Sequence, residues 1–261
     1  TFDTRDFIDG VVVSGHLGEL FLESHGVVFS PETARINEFS VKNTDVSLTL
    51  GSIESTDTVP SEPLYWKILL DEIDFENVGF ALKMPQDSLF VRTMLPKTTL
   101  KNGVIDLKEA SYYVKSFGID NAELAYGPKE ELFLQQIGLQ LDSIYYCGKD
   151  IRANIEEFVL KERSGLELVS TEGRIVSDSV LIEIPKFTMK TTASSLDLQT
   201  KIGWDVLEMK KTGVLSAKIN AEIGKGDVAK ILGGRDTLFL QTYPNKPFVF
   251  RADAEGNLNS L

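Results

Sequence analysis

The sequence predicts an all-β fold of antiparallel strands with few short helices, and three observations carry that expectation. Apolar residues recur with period two far more often than with period 3.6, the mark of strands with one covered face. Turn-forming residues separate these runs. Helical patterning is scarce, so strand is expected above about 45% and helix below about 15%, against usual shares of roughly 20 to 25% and 30 to 35%.

The first clear strand is Val46, Leu48 and Leu50, alternating with Asp45, Ser47 and Thr49. Asp71, Glu72, Asp74 and Glu76 interleave with Ile73 and Phe75, so the carboxylates read as the solvated side of a strand. Asn102-Gly103, inside Leu100-Lys-Asn-Gly-Val-Ile-Asp-Leu107, reads as a two-residue hairpin turn with Gly103 at positive φ. Gly148-Lys-Asp150, Arg163-Ser-Gly165 and Thr171-Glu-Gly173 are further turn signals. Leu196, Leu198, Thr200, Ile202 and Trp204 make the longest alternating run, followed by Leu215, Ala217, Ile219, Ala221 and Ile223, and then by Phe248, Phe250, Ala252 and Ala254. Strands of about five to ten residues follow from this spacing.

The best helix is Gly226-Asp-Val-Ala-Lys-Ile-Leu-Gly-Gly234, with Asp227 placed to cap its N-terminus and Gly233 to end it in the left-handed region. A second short helix is expected before Pro96. The glycines at 224 and 226 lack the Lys-Ser/Thr of a phosphate loop and read as a helix-capping turn.

One phrase occurs three times: Ile36-Asn-Glu-Phe-Ser-Val-Lys42, Ile155-Glu-Glu-Phe-Val-Leu-Lys161 and Ile184-Pro-Lys-Phe-Thr-Met-Lys190. Phe39 and Val41, Phe158 and Leu160, and Phe187 and Met189 stand two apart and share a strand face. The leading Ile is three before the Phe and out of phase, which predicts a bulge between them. An edge-to-core strand of an ordinary sandwich would also satisfy each phrase alone.

The 261 residues supply one large or two ordinary domains, and the 42% hydrophobic content is adequate for a core. We read 1–261 as a single elongated region with a sub-boundary near 127–131. Thr1-Phe-Asp-Thr opens without Met, and Gly256-Asn-Leu-Asn-Ser-Leu261 stops within a strand-and-turn pattern, so the expectation is a stretch of a longer chain. The net charge of −12, with Lys and Arg scattered singly, argues against nucleic acid as a partner. No apolar run reaches the roughly 18 to 20 residues of a spanning helix.

Catalytic chemistry finds no gathered residues. His16 and His25 are nine apart, not at the i, i+4 spacing of a helical metal pair, and Cys147 is the single cysteine. No Gly-x-Ser-x-Gly elbow is present, and no Asp-x-Asp-x-Asp-Gly calcium loop. The 39 acidic residues give carboxylate pairs such as Glu130-Glu131 by number alone, without marking a glycosidase site. The expectation is therefore a non-enzyme with no cofactor and no metal.

Leu139-Gln-Leu-Asp-Ser-Ile-Tyr-Tyr-Cys-Gly-Lys-Asp-Ile-Arg-Ala-Asn-Ile-Glu-Glu-Phe-Val-Leu-Lys-Glu-Arg-Ser-Gly-Leu-Glu-Leu168 leads into Ile184-Pro-Lys-Phe-Thr-Met-Lys-Thr-Thr-Ala-Ser-Ser-Leu-Asp-Leu198. Ile223-Gly-Lys-Gly-Asp-Val-Ala-Lys-Ile-Leu232 and Pro247-Phe-Val-Phe-Arg-Ala-Asp-Ala-Glu-Gly-Asn-Leu258 follow. In this order, over roughly 36 to 261, these segments resemble the TamB and AsmA-like family of bacterial envelope proteins, in particular the long TamB-type chains of the Bacteroides group. The resemblance implies a long antiparallel sheet curled into an open groove, a β-taco, apolar inside and polar outside. It also implies a periplasmic location, with anchoring to the inner membrane by a segment outside this stretch. The implied role is conducting phospholipids between the two membranes, or assisting assembly of outer-membrane β-barrel proteins.

Physical chemistry gives that role a form, because a face of Leu, Ile, Val and Phe solvates acyl chains at about 0.8 kcal/mol per CH₂. The candidate lining residues are Phe39, Val41, Val46, Leu48, Leu50, Phe158, Leu160, Phe187, Met189, Leu196, Leu198, Ile202, Trp204, Leu215, Ile219, Phe248 and Phe250, with phospholipid acyl chains as the partner. A scaffold working through an exposed strand edge is the second reading. An adhesin-like sandwich or carbohydrate-binding module is the third, with Tyr112, Tyr113, Tyr145 and Tyr146 as its platform.

Overall fold

The computed structural model describes residues 2–3, 11–29, 31–51, 65–84, 86, 88–208, 213–233, 235 and 237–257. Thr1, Thr4, Gly234 and residues 258–261 lie outside the described residues. Strand makes up 75% of the chain, in a mostly antiparallel sheet that does not close into a barrel, so the all-β expectation holds. The chain divides into two compact units, Thr1–Gly138 and Leu139–Leu261.

The first unit contains β1 (Phe2–Asp3), β2 (Val11–His16), β3 (Glu19–Phe29), β4 (Glu32–Leu50), β5 (Lys67–Met84), β6 (Leu89–Asp106), β7 (Ser111–Tyr126) and the opening of β8 (Leu132–Cys147). The order is β1-β2-β4-β5-β6-β7-β8, and β3 pairs with β4. β2 and β3 lie end to end along one side of β4, pairing with residues 45–50 and 32–42 of it. Strands of 16 to 19 residues replace the shorter ones expected. β4 and β5 run in the same direction, a parallel pair.

Asn102-Gly103 is no hairpin. Asn102 has φ 53° in the middle of β6, which continues to Asp106, and Gly103 pairs with Leu70 and Val114. The left-handed residue is thus the Asn, whose short polar side chain tolerates that region. The helix expected before Pro96 is also absent, because Pro96 lies within β6. A proline lacks the N–H of a central strand and needs an interruption in the ladder. That interruption is present: the pairing passes from Lys97 to Leu95 against β5, and from Lys97 to Met94 against β7.

The second unit holds the rest of β8, then β9 (Asp150–Glu162), β10 (Glu167–Ser177), β11 (Leu181–Thr191), β12 (Ser195–Gly203), β13 (Val214–Ile223) and β14 (Phe248–Asn257) in sequential order. The turns at Gly148 (φ 58°) and Gly165 (φ 87°) are where the sequence put them. Thr171-Glu-Gly173 is not a turn but the centre of β10, where Gly173 pairs with Phe187 and Ile155.

Three short helices, α1 (Trp204–Leu207), α2 (Lys225–Leu232) and α3 (Thr237–Thr242), belong to this unit. α2 ends at left-handed Gly233 (φ 55°), as expected. Its N-cap is Gly224, however, with no side-chain cap. Asp227 turns instead to the β11–β12 hairpin, accepting from Ser194 Oγ at 2.6 Å and from Thr191 Oγ1. A Cβ on Gly224 would stand 2.1 Å from the Ala193 carbonyl oxygen, so this cap must be glycine. Trp204 leaves the alternating run to start α1, donating Nε1–H to the Asp178 carbonyl at 2.7 Å beneath the Lys149 ammonium. It anchors a hairpin end instead of extending the β12 face.

Candidate functional site

The candidate site is the apolar face of each unit, and the pairing registers build it rung by rung. In the first unit Leu22, Phe39, Ile73, Leu100 and Phe117 are aligned across β3 to β7. Val41, Phe75, Thr98 and Ile119 form the next rung, with the Phe39 and Phe75 rings meeting edge to face at 6.2 Å. Val46 aligns with Phe80, Leu48 with Leu82 and Val13, and Leu50 with Val11.

Strict alternation would not keep these residues together, since Ile36 to Phe39 and Val41 to Thr44 are three-residue steps. The ladder passes over residues in each strand at those places: Asn37 and Asn43 in β4, Asp71 and Asn77 in β5, Pro96 and Asn102 in β6, Lys115 and Asn121 in β7, with Leu95 and Ala122 also passed over between β6 and β7. The two skipped positions stand six apart in every strand and line up as two creases across the sheet. Asn43, Asn77, Asn102 and Asn121 all have φ between 51° and 56°. Each left-handed residue absorbs one position, and the alternation restarts on the same face.

In the second unit Phe187 aligns with Leu198, Ile219 and Ala252, and Met189 with Leu196, Ala221 and Phe250. Ile202 faces Ile182 and Leu215, Leu160 faces Leu168, and Phe248 pairs with Ile223 on the outermost strand. The bulge expected inside the repeated phrase is present between Ile184 and Phe187 and, in the pairing of β4 with β3, at Asn37. The copy in β9 has no net shift, because Ile155 pairs with Gly173 and Leu160 with Leu168, five residues apart on both strands.

Burial is shallow on both units. Among the seventeen candidate residues only Val41, 8% exposed, is buried, while Phe248 and Phe250 are 52% and 45% exposed. No large side chain among the described residues is fully buried. Two hydroxyls on the apolar faces, Thr98 and Thr171, are buried without a hydrogen-bond partner.

The opposite face carries cross-strand ion pairs: Lys42 with Glu76 at 3.0 Å, Lys101 with Glu72 at 2.8 Å and Arg35 with Asp71 at 2.9 Å in the first unit, and Lys201 with Glu183 at 3.0 Å in the second. Hydrogen bonding to Glu76 and Glu72 raises the pKa of the Lys42 and Lys101 ammonium groups. Burial, aided by the charge of Glu72, raises the pKa of Asp74. These pairs are half-exposed, so each adds little to stability, and together they make a water-facing surface.

The histidines and the cysteine are far from any shared site. His25 Nδ1 meets Asn37 Oδ1, and His16 lies across from Asp45 on β2 and β4. Cys147, at the end of β8, is half-buried beside Tyr145, whose phenol pKa is raised by burial and by the thiol. Among the described residues no three His, Cys, Asp or Glu gather where a metal ion could be held. No helix among them is long and apolar enough to cross a membrane. Of the tyrosines, Tyr112, Tyr113 and Tyr146 are exposed and Tyr145 half-buried. The sequence reading missed the creases. Their signal was a three-residue step in the alternation with Asn, Asp, Pro or Lys inside it, repeated six residues away.

Comparison with known proteins adds no relative: no family model and no curated protein matches the chain.

Proposed function

We propose that this chain is a section of a bridge-like lipid transfer protein, one that holds phospholipid acyl chains on its apolar faces and leaves headgroups in water. The observation that carries the reading is the shallow burial of those faces. Rungs such as Phe187–Leu198–Ile219 present contiguous apolar side chains, yet no large one is fully buried. Leaving such area in water is unfavourable by about 25 cal/mol per Å², and acyl chains would remove that cost. Patches of this kind on a soluble chain usually mark an interaction surface. The resemblance to TamB and AsmA-like chains supplies the setting: a periplasmic path between inner and outer membranes.

A second reading, a scaffold that helps outer-membrane proteins assemble by strand addition, is favoured by one observation of its own. β3 is exposed along its whole length and, among the described strands, pairs with β4 alone, and β14 is the last of them in the sheet. Free strand edges of this kind can template a partner strand.

A photo-crosslinking amino acid at Leu160 or Ile202, on the apolar face, is expected to capture phospholipid in cells, while one at Lys161 or Lys201 is not. Equal capture on both faces, or none on either, overturns the conduit. Capture of unfolded outer-membrane protein at β14 in place of lipid favours the scaffold.

A further inference from the structure

The charged face of the first unit carries uncharged stretches, and one of them is hollow. Along the crease side of β4 to β8, the positions that elsewhere carry Lys, Arg, Asp or Glu are held by Gly79, Ala81, Met94, Ala125 and Phe133, and there the surface sinks into a concavity of about 330 Å³. That volume is at the lower end of the range of small-molecule pockets. Pairing places these residues together: Gly79 is opposite Met94, Ala81 opposite Arg92, and Arg92 opposite Ala125. They alternate along the strands with Val46 and Phe80, which complete the lining of the concavity.

Three charged side chains frame it: Asp45, Arg92 and Glu123. Arg92 is already neutralised, its Nη2 donating to Glu130 Oε1 at 2.7 Å. Asp45 and Glu123 form no ion pair with any described residue. Asp45 is held over the floor by the absence of a side chain at Gly79, since a Cβ there would stand 2.1 Å from Asp45 Oδ1. Among the described residues, the rim therefore carries two carboxylates without an ion pair around an apolar floor of small residues.

We propose that this concavity is a binding site for a small organic cation, an ammonium group on a compact apolar body, with Asp45 or Glu123 taking the charge and Met94 and Phe133 the body. A carboxylate beside a partly desolvated apolar surface selects for a cation over a neutral isostere, because the neutral group leaves the carboxylate unpaired. The thioether of Met94 and the ring of Phe133 suit an aromatic or polarizable body. The proposal rests on this concavity and not on the lipid reading.

The test is calorimetric titration of the 261-residue chain with 2-phenylethylamine, 2-phenylethanol and phenylacetate, at low ionic strength and pH 7. The amine is expected to bind about tenfold or more tightly than either analogue, a difference of about 1.4 kcal/mol. Asp45→Asn and Glu123→Gln, both exposed substitutions, are each expected to lower that preference, and Ala81→Leu to abolish binding by filling the floor. Absence of amine binding overturns the proposal, as does equal affinity for amine and alcohol. Amine binding that persists in the Asp45→Asn, Glu123→Gln double variant assigns it to the apolar face and overturns it too. The two carboxylate variants need no core rearrangement, so they decide the matter even where Ala81→Leu fails to fold.

Discussion

Asn77 Nδ2 donates to Asn43 Oδ1 at 2.9 Å across the parallel pair β4–β5, and both residues are left-handed, with φ of 56° and 51°. The two asparagines sit at the same level of neighbouring strands, so one crease runs through both. Their amides bridge the place where the backbone ladder has no rung.

Asn77→Gly is expected to keep the crease and lose only the amide bridge, at a cost of about 1 kcal/mol or less. Asn77→Val adds the penalty of a β-branched residue at positive φ, of order 1 to 3 kcal/mol. Urea unfolding of the two variants checks the order. Equal stability of Gly and Val at this position would mean that the left-handed conformation is not required.

The α2 cap makes a paired prediction. Gly224→Ala drives a Cβ against the Ala193 carbonyl and is expected to destabilise the second unit by about 2 kcal/mol or more. Gly226→Ala, two residues on and inside the helix, meets nothing closer than 3.4 Å and is expected to be neutral or stabilising by up to about 1 kcal/mol. Thermal denaturation of both separates a steric requirement from general helix propensity.

Asp227 gives a pH dependence. Burial acts to raise its pKa, but hydrogen bonds from Ser194 and Thr191, with the Lys230 ammonium nearby, hold it below the ordinary carboxylate value. A folded pKa below the unfolded one, which is about 3.9, stabilises the folded state at pH above that value. The contribution is lost as pH falls through the folded pKa. Asp227→Asn is therefore expected to lower stability at pH 7 by about 2 kcal/mol and to flatten its decline below pH 4. An unchanged acid limb in the variant would remove Asp227 from the acid transition.

Ile202 tests how open the face is. It is half-buried between Ile182 and Leu215, so Ile202→Asp is expected to leave the chain folded, with a loss of about 1 to 2 kcal/mol. In a closed core the same change would bury an unpaired charge and unfold the protein. Far-UV circular dichroism and a melting curve distinguish the two.

Period-two alternation is a local property, written in neighbouring residues, and it was enough to determine the all-β class. It also located the strands around Leu48, Leu198, Ile219 and Phe250, the turns at Gly148 and Gly165, and the left-handed stop at Gly233. Each depends on a few adjacent side chains or on a glycine's own backbone freedom. What the tertiary structure decided are relations between residues far apart in the chain. Asn102-Gly103 has the composition of a hairpin turn, yet the long partners β5 and β7 hold β6 extended through it, and the left-handed residue becomes one node of a crease. Asp227 has the composition of an N-cap, but the Thr191–Ser194 hairpin offers its carboxylate several hydroxyl donors, so it turns there. Trp204 continues the alternation in the sequence and leaves it in space, because Asp178 and Lys149 supply partners for its N–H and its ring. The parallel pairing of β4 and β5, and the concavity at Gly79, arise from register alone, which the period of the pattern cannot encode.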